Sequence, residues 1–97
     1  MKLYHGTSIE AAEYIEEEGF IGGELSEMTD GFTHVEGGVV YLASTIKEAH
    51  EYGDAIFEID FGMMDCEQPV EFFDGNSHHY YSTAKNINQN ALVERIL

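Results

Sequence analysis

Leu3-Tyr4-His5-Gly6-Thr7-Ser8 stands at the start of the chain. A short apolar run ends in a histidine, then a glycine, then two hydroxyl residues able to open a helix. At a strand-to-helix junction, that order sets an imidazole, an approachable backbone and a hydroxyl side by side. The grouping suits a small polar ligand better than it suits a core. So short a stretch needs a partner elsewhere, and the partner the sequence offers is Gly38-Val39-Val40-Tyr41-Leu42-Ala43-Ser44.

Working outward, residues 2–5 read as a strand. Thr7 is then expected to cap a helix, with Glu10 completing a capping box. Ile9, Ala12 and Ile15 fall on one face of that helix, at the spacing of a core-facing stripe. Glu10, Glu13, Glu16, Glu17 and Glu18 take much of the rest, and Gly19 ends it. Phe20 to Gly38 is rich in glycine and carries no clear period, which predicts a loop with a short strand near Phe32–Val35. Val39–Leu42 reads as a strand apolar on both sides. Thr45-Ile46-Lys47-Glu48 is a second capping box, opening a helix that runs to Tyr52 and stops at Gly53. Ala55–Phe61 alternates as a half-buried strand. Val70–Phe73 and His78–Thr83 read as strands around a turn at Asp74-Gly75-Asn76-Ser77. Asn90–Ile96 is expected to form a last helical turn or two.

Ninety-seven residues, 43% hydrophobic and 12% aromatic, make one small foldable domain spanning residues 1–97. No apolar run is long enough to cross a membrane, and the N-terminus lacks the apolar region of a secretory signal. The single cysteine, Cys66, excludes an internal disulfide and fits a reducing cytoplasm, where it reads as a small buried hydrophobe. Nineteen acids against four bases leave a formal charge of -15. Such a surface repels nucleic acid and anionic membrane, and attracts a basic partner, including a protein that itself binds DNA or RNA. Solubility alone is the simpler account of the same charge.

Three polar groups sit at strand or helix ends rather than on a wet helix face. His5 ends the first strand beside Gly6, Tyr41 lies in an otherwise apolar strand, and Tyr52 closes the following helix. A histidine and two tyrosines around a slot would hold a flat aromatic amide, with the Gly6 backbone pairing to the amide. Each tyrosine alone is better explained as amphipathic core, and His5 alone equally well as a hydrogen-bonded structural histidine. His78 and His79 invite a metal reading, but neighbours on a strand point to opposite faces, so no metal site is assigned.

Tyr4-His5-Gly6-Thr7-Ser8 followed by an amphipathic helix resembles the first motif of the ADP-ribosyltransferases of the diphtheria-toxin and poly(ADP-ribose) polymerase branch. Gly38–Ser44, with Ala49-His50-Glu51-Tyr52-Gly53, resembles their second motif, and the likeness covers about residues 3–61. The resemblance implies an α+β fold, a small split, mixed β-sheet flanked by two helices and cleft around NAD. It implies that His5 bonds the ribose beside the nicotinamide, and that Gly6 binds the carboxamide through its backbone. Thr7, Ser8 and Ser44 would lie with the cofactor, while Tyr41 and Tyr52 would sandwich the nicotinamide ring. Loss of nicotinamide leaves positive charge at the anomeric carbon, which the family meets with a glutamate on a late strand. The strand aligned with it, His78–Thr83, has no acid. Glu94 is the candidate for that catalytic role with His5 and Tyr41; Glu71 or Asp74 could take it, or the group is gone.

Two functions follow from the sequence. One is an NAD-dependent mono-ADP-ribosyltransferase-like enzyme that modifies a macromolecule, with a protein as its target. The other is the same scaffold without its glutamate, acting through its acidic surface. Such a protein would be a nucleic-acid mimic of phage type, blocking the basic groove of a DNA- or RNA-binding complex in a host defence system. An NAD or ADP-ribose binding module without transfer activity is a blander third option.

Overall fold

The computed structural model describes residues 1–21, 38–62 and 65–97. The strand expected near Phe32–Val35, and most of the glycine-rich loop around it, lie outside the described residues. The fold is α+β. Strand β1 (Lys2–Thr7) leads into helix α1 (Ile9–Glu18), and β2 (Val39–Leu42) into the short helix α2 (Ile46–Ala49) and a 3-10 turn at His50–Tyr52. Then come β3 (Ala55–Asp60), β4 (Val70–Asp74), β5 (Ser77–Thr83), α3 (Ala84–Asn90) and β6 (Leu92–Arg95).

The described strands form two three-stranded sheets, ordered β1-β3-β6 and β2-β5-β4. Every pairing is antiparallel, so the mixed sheet expected from the resemblance is corrected. One isolated bridge joins the two sheets, between Tyr4 of β1 and Ala43 just past β2. It is made by Tyr4 N–H to the Ala43 carbonyl at 2.9 Å and Ala43 N–H to the Tyr4 carbonyl at 2.7 Å.

β3 lies in the middle of its sheet and is half-buried as expected: Ala55, Phe57 and Ile59 are buried on one face, while on the other Ile56 is buried and Glu58 and Asp60 are partly exposed. Leu3, Phe57 and Ile59 face the main core with Ala12 of α1, Val40 and Leu42 of β2, and Ala84 and Ile87 of α3. On the other face Ile56 packs with Ala43 and Ala49, with Tyr4 and Ile96 beside them. Helices α1 and α3 thus cover the first face of β3, and α2 covers Ile56 on the second. Cys66 is part of the main core, and burial pushes its thiol up.

Two glycines allow α2 and the turn after it to lie directly on β1. A Cβ at Gly6 would stand 1.7 Å from the Ala49 carbonyl oxygen, and one at Gly53 would stand 2.1 Å from that of Thr7. Thr45 caps α2 as expected, its hydroxyl accepting from Glu48 N–H at 3.1 Å. The cap of α1 differs from expectation. Thr7 stays in the strand, paired with Ala55, and Ser8 takes the cap by accepting from Ala11 N–H. Ile9, the first residue of the helix, is 52% exposed, while Ala12 is buried and Ile15 packs on the core.

The C-terminal third departs furthest from expectation, since a third helix precedes a strand where a last helical turn was predicted. Ala84–Asn90 reads as polar amides with no stripe, yet it folds as a helix because Thr83 caps it and Ala84, Asn86 and Ile87 are buried. Asn86 satisfies its amide completely. Its Nδ2 donates to the Glu67 carbonyl at 2.8 Å and to Ser82 Oγ at 2.9 Å, and its Oδ1 accepts from Glu67 N–H at 3.1 Å. After the helix, Leu92–Arg95 adds to the edge of β3. Four residues of mixed apolar and charged type fit either period, and only a free strand edge decides between them.

Asn86→Ala is expected to lower the unfolding free energy by about 2 kcal/mol, because it leaves the Glu67 backbone and Ser82 unpaired inside. Urea unfolding should show this as a lower midpoint at unchanged slope. Gly6→Ala should cost more, about 3 kcal/mol, because its methyl meets a helix carbonyl that cannot move alone. A near-normal midpoint for Gly6→Ala would mean that α2 is not held against β1.

Candidate functional site

β1 and β2 run antiparallel and touch through one bridge only, so the next pair along, Gly6 with Tyr41, is the one the separation of the sheets leaves unmade. Its outline follows from the alternation of the ladder. Tyr4 bonds to Ala43, and Phe61 N–H donates to the Met1 carbonyl at 2.8 Å. The odd-numbered residues of β1 thus turn their N–H and C=O towards β3, and the even-numbered ones away from it. On the same count Ile56, opposite Gly6, spends its backbone groups on Ile96 and Leu97. Gly6 therefore presents one N–H and one C=O along the edge of β1 that faces β2.

His5 partly fills the gap. Its Nδ1 lies 2.8 Å from the Tyr41 carbonyl, which accepts, so the proton is on Nδ1 and Nε2 keeps a lone pair. Burial holds the imidazole below the usual histidine range, the bond to the Tyr41 carbonyl opposing it, and the neutral ring is the resting form. Phe20 supports the ring edge-on, with centroids 5.3 Å apart, and itself packs edge-on against Phe57 at 5.5 Å. Phe20 is fixed in turn by Asn88 of α3. Its N–H donates to Asn88 Oδ1 at 2.8 Å, and its carbonyl accepts from Asn88 Nδ2 at 2.7 Å. Asn88 is thus a positioning residue for His5, acting through Phe20.

Around this gap lies a cleft of about 580 Å³. His5, Gly6, Tyr41 and Tyr52 all line it, from two sheets and the turn after α2. Tyr52 stands at its mouth, 62% exposed. The far wall is aromatic: Phe72 of β4 meets Tyr41 at 5.9 Å, His79 at 5.5 Å and Tyr81 at 5.7 Å between ring centroids. The site is concave and mostly apolar with a few convergent polar groups, as small-molecule sites are.

The remaining sequence candidates lie elsewhere. Thr7 and Ser44 are not among the residues lining the cleft, and Ser8 is occupied as the cap of α1. Glu94 pairs with Glu58, which pairs with Tyr4, so it sits two strands from β1 and on the face opposite His5. It is exposed. Glu71 is on β4 opposite Tyr80, with its Oε2 3.0 Å from His78 Nε2, and Asp74 ends the strand at the hairpin turn. Among the described residues no carboxylate lines the cleft.

Phe20, Phe72 and His79 were not foreseen as site residues. For His79 a signal existed, since alternation along 77–83 puts it on the face of Tyr81, but only β2 pairing Tyr41 with Tyr81 brings that face to the cleft. The described residues hold no group of three or more histidine, cysteine or acidic side chains placed for a metal ion, and no helix long and apolar enough to cross a membrane. Compared with protein-family models, curated proteins and solved structures, the chain gives no match.

The neutral His5 gives a pH dependence with a definite sign. Its folded pKa lies below the unfolded value of 6.5, so its contribution is fully present above that pH and is lost as pH falls towards the folded value. Wild type should therefore lose stability more steeply than His5→Asn between pH 7 and pH 5, in urea midpoints taken at each pH. Asparagine keeps a donor near the Nδ1 position and does not titrate, so other groups cancel in the comparison. Parallel midpoint curves would mean that His5 takes up its proton equally in the folded and unfolded chain.

Proposed function

We propose that this protein is an ADP-ribosyltransferase-like enzyme that takes NAD into the cleft and modifies a macromolecule. The observation that carries the reading is the unmade pair between β1 and β2. A strand edge that offers one N–H and one C=O from a single glycine is complementary to a primary carboxamide, which has one acceptor and one donor to return. The split between the two sheets falls at Gly6, where the resemblance puts the nicotinamide amide.

The other residues fit the same end of the molecule. Nε2 of the neutral His5 is an acceptor for a ribose hydroxyl, and Tyr41 and Tyr52 line the same cleft. NAD, when bound, supplies an activated bond between nicotinamide and ribose, whose ADP-ribosyl half can pass to a nucleophile. The chain's part is to hold the amide and ribose, exclude water with the aromatic wall, and offer π faces to positive charge. With no carboxylate among the described lining residues, transfer is expected to be slow.

A second reading is favoured by one observation, the free acidic face of α1. Glu16 pairs with Arg95, while among the described residues Glu10, Glu13, Glu17 and Glu18 have no ion-pair partner. In that reading the scaffold is a binding protein for a basic target, a nucleic-acid-binding complex among the candidates, and its cleft is a relic.

Transfer of label from adenine-labelled NAD, with purified protein and a cell lysate, separates the two. The enzyme reading expects label on a macromolecule with wild type, and at least a tenfold loss with His5→Ala and with Tyr41→Ala. No transfer and no NAD hydrolysis by wild type would overturn it. A basic protein retained from the same lysate and released by salt would then support the acidic-face reading.

A further inference from the structure

The chain has four cationic side chains, Lys2, Lys47, Lys85 and Arg95, and none of them lines the cleft. Lys2 lies 3.4 Å from Glu58, and Arg95 is held by Glu16. Lys85 borders a separate polar hollow beside Asn86, and Lys47 is exposed on α2. The start of α1 is already capped by Ser8 and carries Glu10 in its first turn, and the start of α2 is capped by Thr45. The glycine-rich segment 22–37 adds four acids, one histidine and no lysine or arginine to the sequence. Around all of this stands a net charge of -15.

Phosphate groups are bound chiefly by arginine, lysine and uncapped helix ends, and also by nests of backbone N–H. Among the described residues the first two are absent from the cleft and the third is taken, while the apolar wall and the Gly6 edge suit the heteroaromatic amide. We infer that the cleft grips its ligand through the nicotinamide riboside end alone, and that the phosphates of NAD contribute repulsion rather than affinity. The preferred ligand class is a phosphate-free, cationic pyridinium nucleoside. NAD enters as a poorer member of that class, with its pyrophosphate left in solvent. This rests on the nicotinamide reading of the cleft and adds to it the ligand's charge.

The test is calorimetric titration of the full chain with nicotinamide riboside, nicotinamide mononucleotide and NAD, each in 20 and 300 mM NaCl at pH 7.5. Nicotinamide riboside should bind at least as tightly as the other two in low salt. Raising the salt should tighten NAD and the mononucleotide by roughly threefold, through screening of the protein's field, and should weaken the cationic riboside. NAD binding tenfold tighter than the riboside and weakening with salt would overturn the inference, since it requires a phosphate subsite; the nicotinamide reading would survive. Failure of all three to bind would overturn both.

Discussion

Two hydrogen bonds between Tyr4 and Ala43 are the only backbone bridge between the two described sheets. They fasten β1 to the end of β2 at one point and leave the strands free to part beyond it. Had the ladder continued, Gly6 would bond Tyr41, the sheets would merge and no cleft would exist. Parting leaves polar backbone at an interior edge, which is costly unless it finds partners. The His5 imidazole meets part of that cost by donating to the Tyr41 carbonyl. The Gly6 edge is the remainder, and that remainder is the feature a ligand amide can use.

What keeps the strands apart is the packing on either side. On one face α2 is pressed against β1 so closely that only glycine fits at positions 6 and 53. On the other, Phe20 stands between His5 and Phe57. Asn86 and Asn88, two residues apart on α3, serve separate ends of this arrangement. Asn86 binds the connection after β3, and Asn88 pairs with the backbone of Phe20 as a neighbouring strand would. Side-chain amides suit this task because each carries a donor and an acceptor, and so can replace a missing peptide group.

Gly6 has a complete structural reason to be glycine, the Ala49 carbonyl, which holds whether or not a ligand ever pairs with its edge. Packing of α2 and exposure of the strand edge are two consequences of one missing side chain. The charge of the molecule is separable from both. It is spread over exposed positions such as those of α1, and it bears on the cleft only as a field. That field opposes anions and favours cations.

The sequence by itself determined the local elements with clear punctuation. β2, the capping box at Thr45, the stop at Gly53 and the hairpin around Gly75 are all legible, because caps and turns act within a few residues. That His5, Gly6, Tyr41 and Tyr52 line one cleft was an expectation drawn from polar residues standing out in or beside short apolar runs. Only the tertiary structure decided the rest. Whether Thr7 or Ser8 caps α1 depends on how far β1 pairs with β3. Whether Leu92–Arg95 is helix or strand depends on the free edge of β3. The polar run from Ala84 to Asn90 is a helix because buried partners satisfy its amides. His79 reaches the cleft, and Glu94 lies on the opposite face from His5, through strand order and register. Those are long-range pairings, and no local spacing carries them.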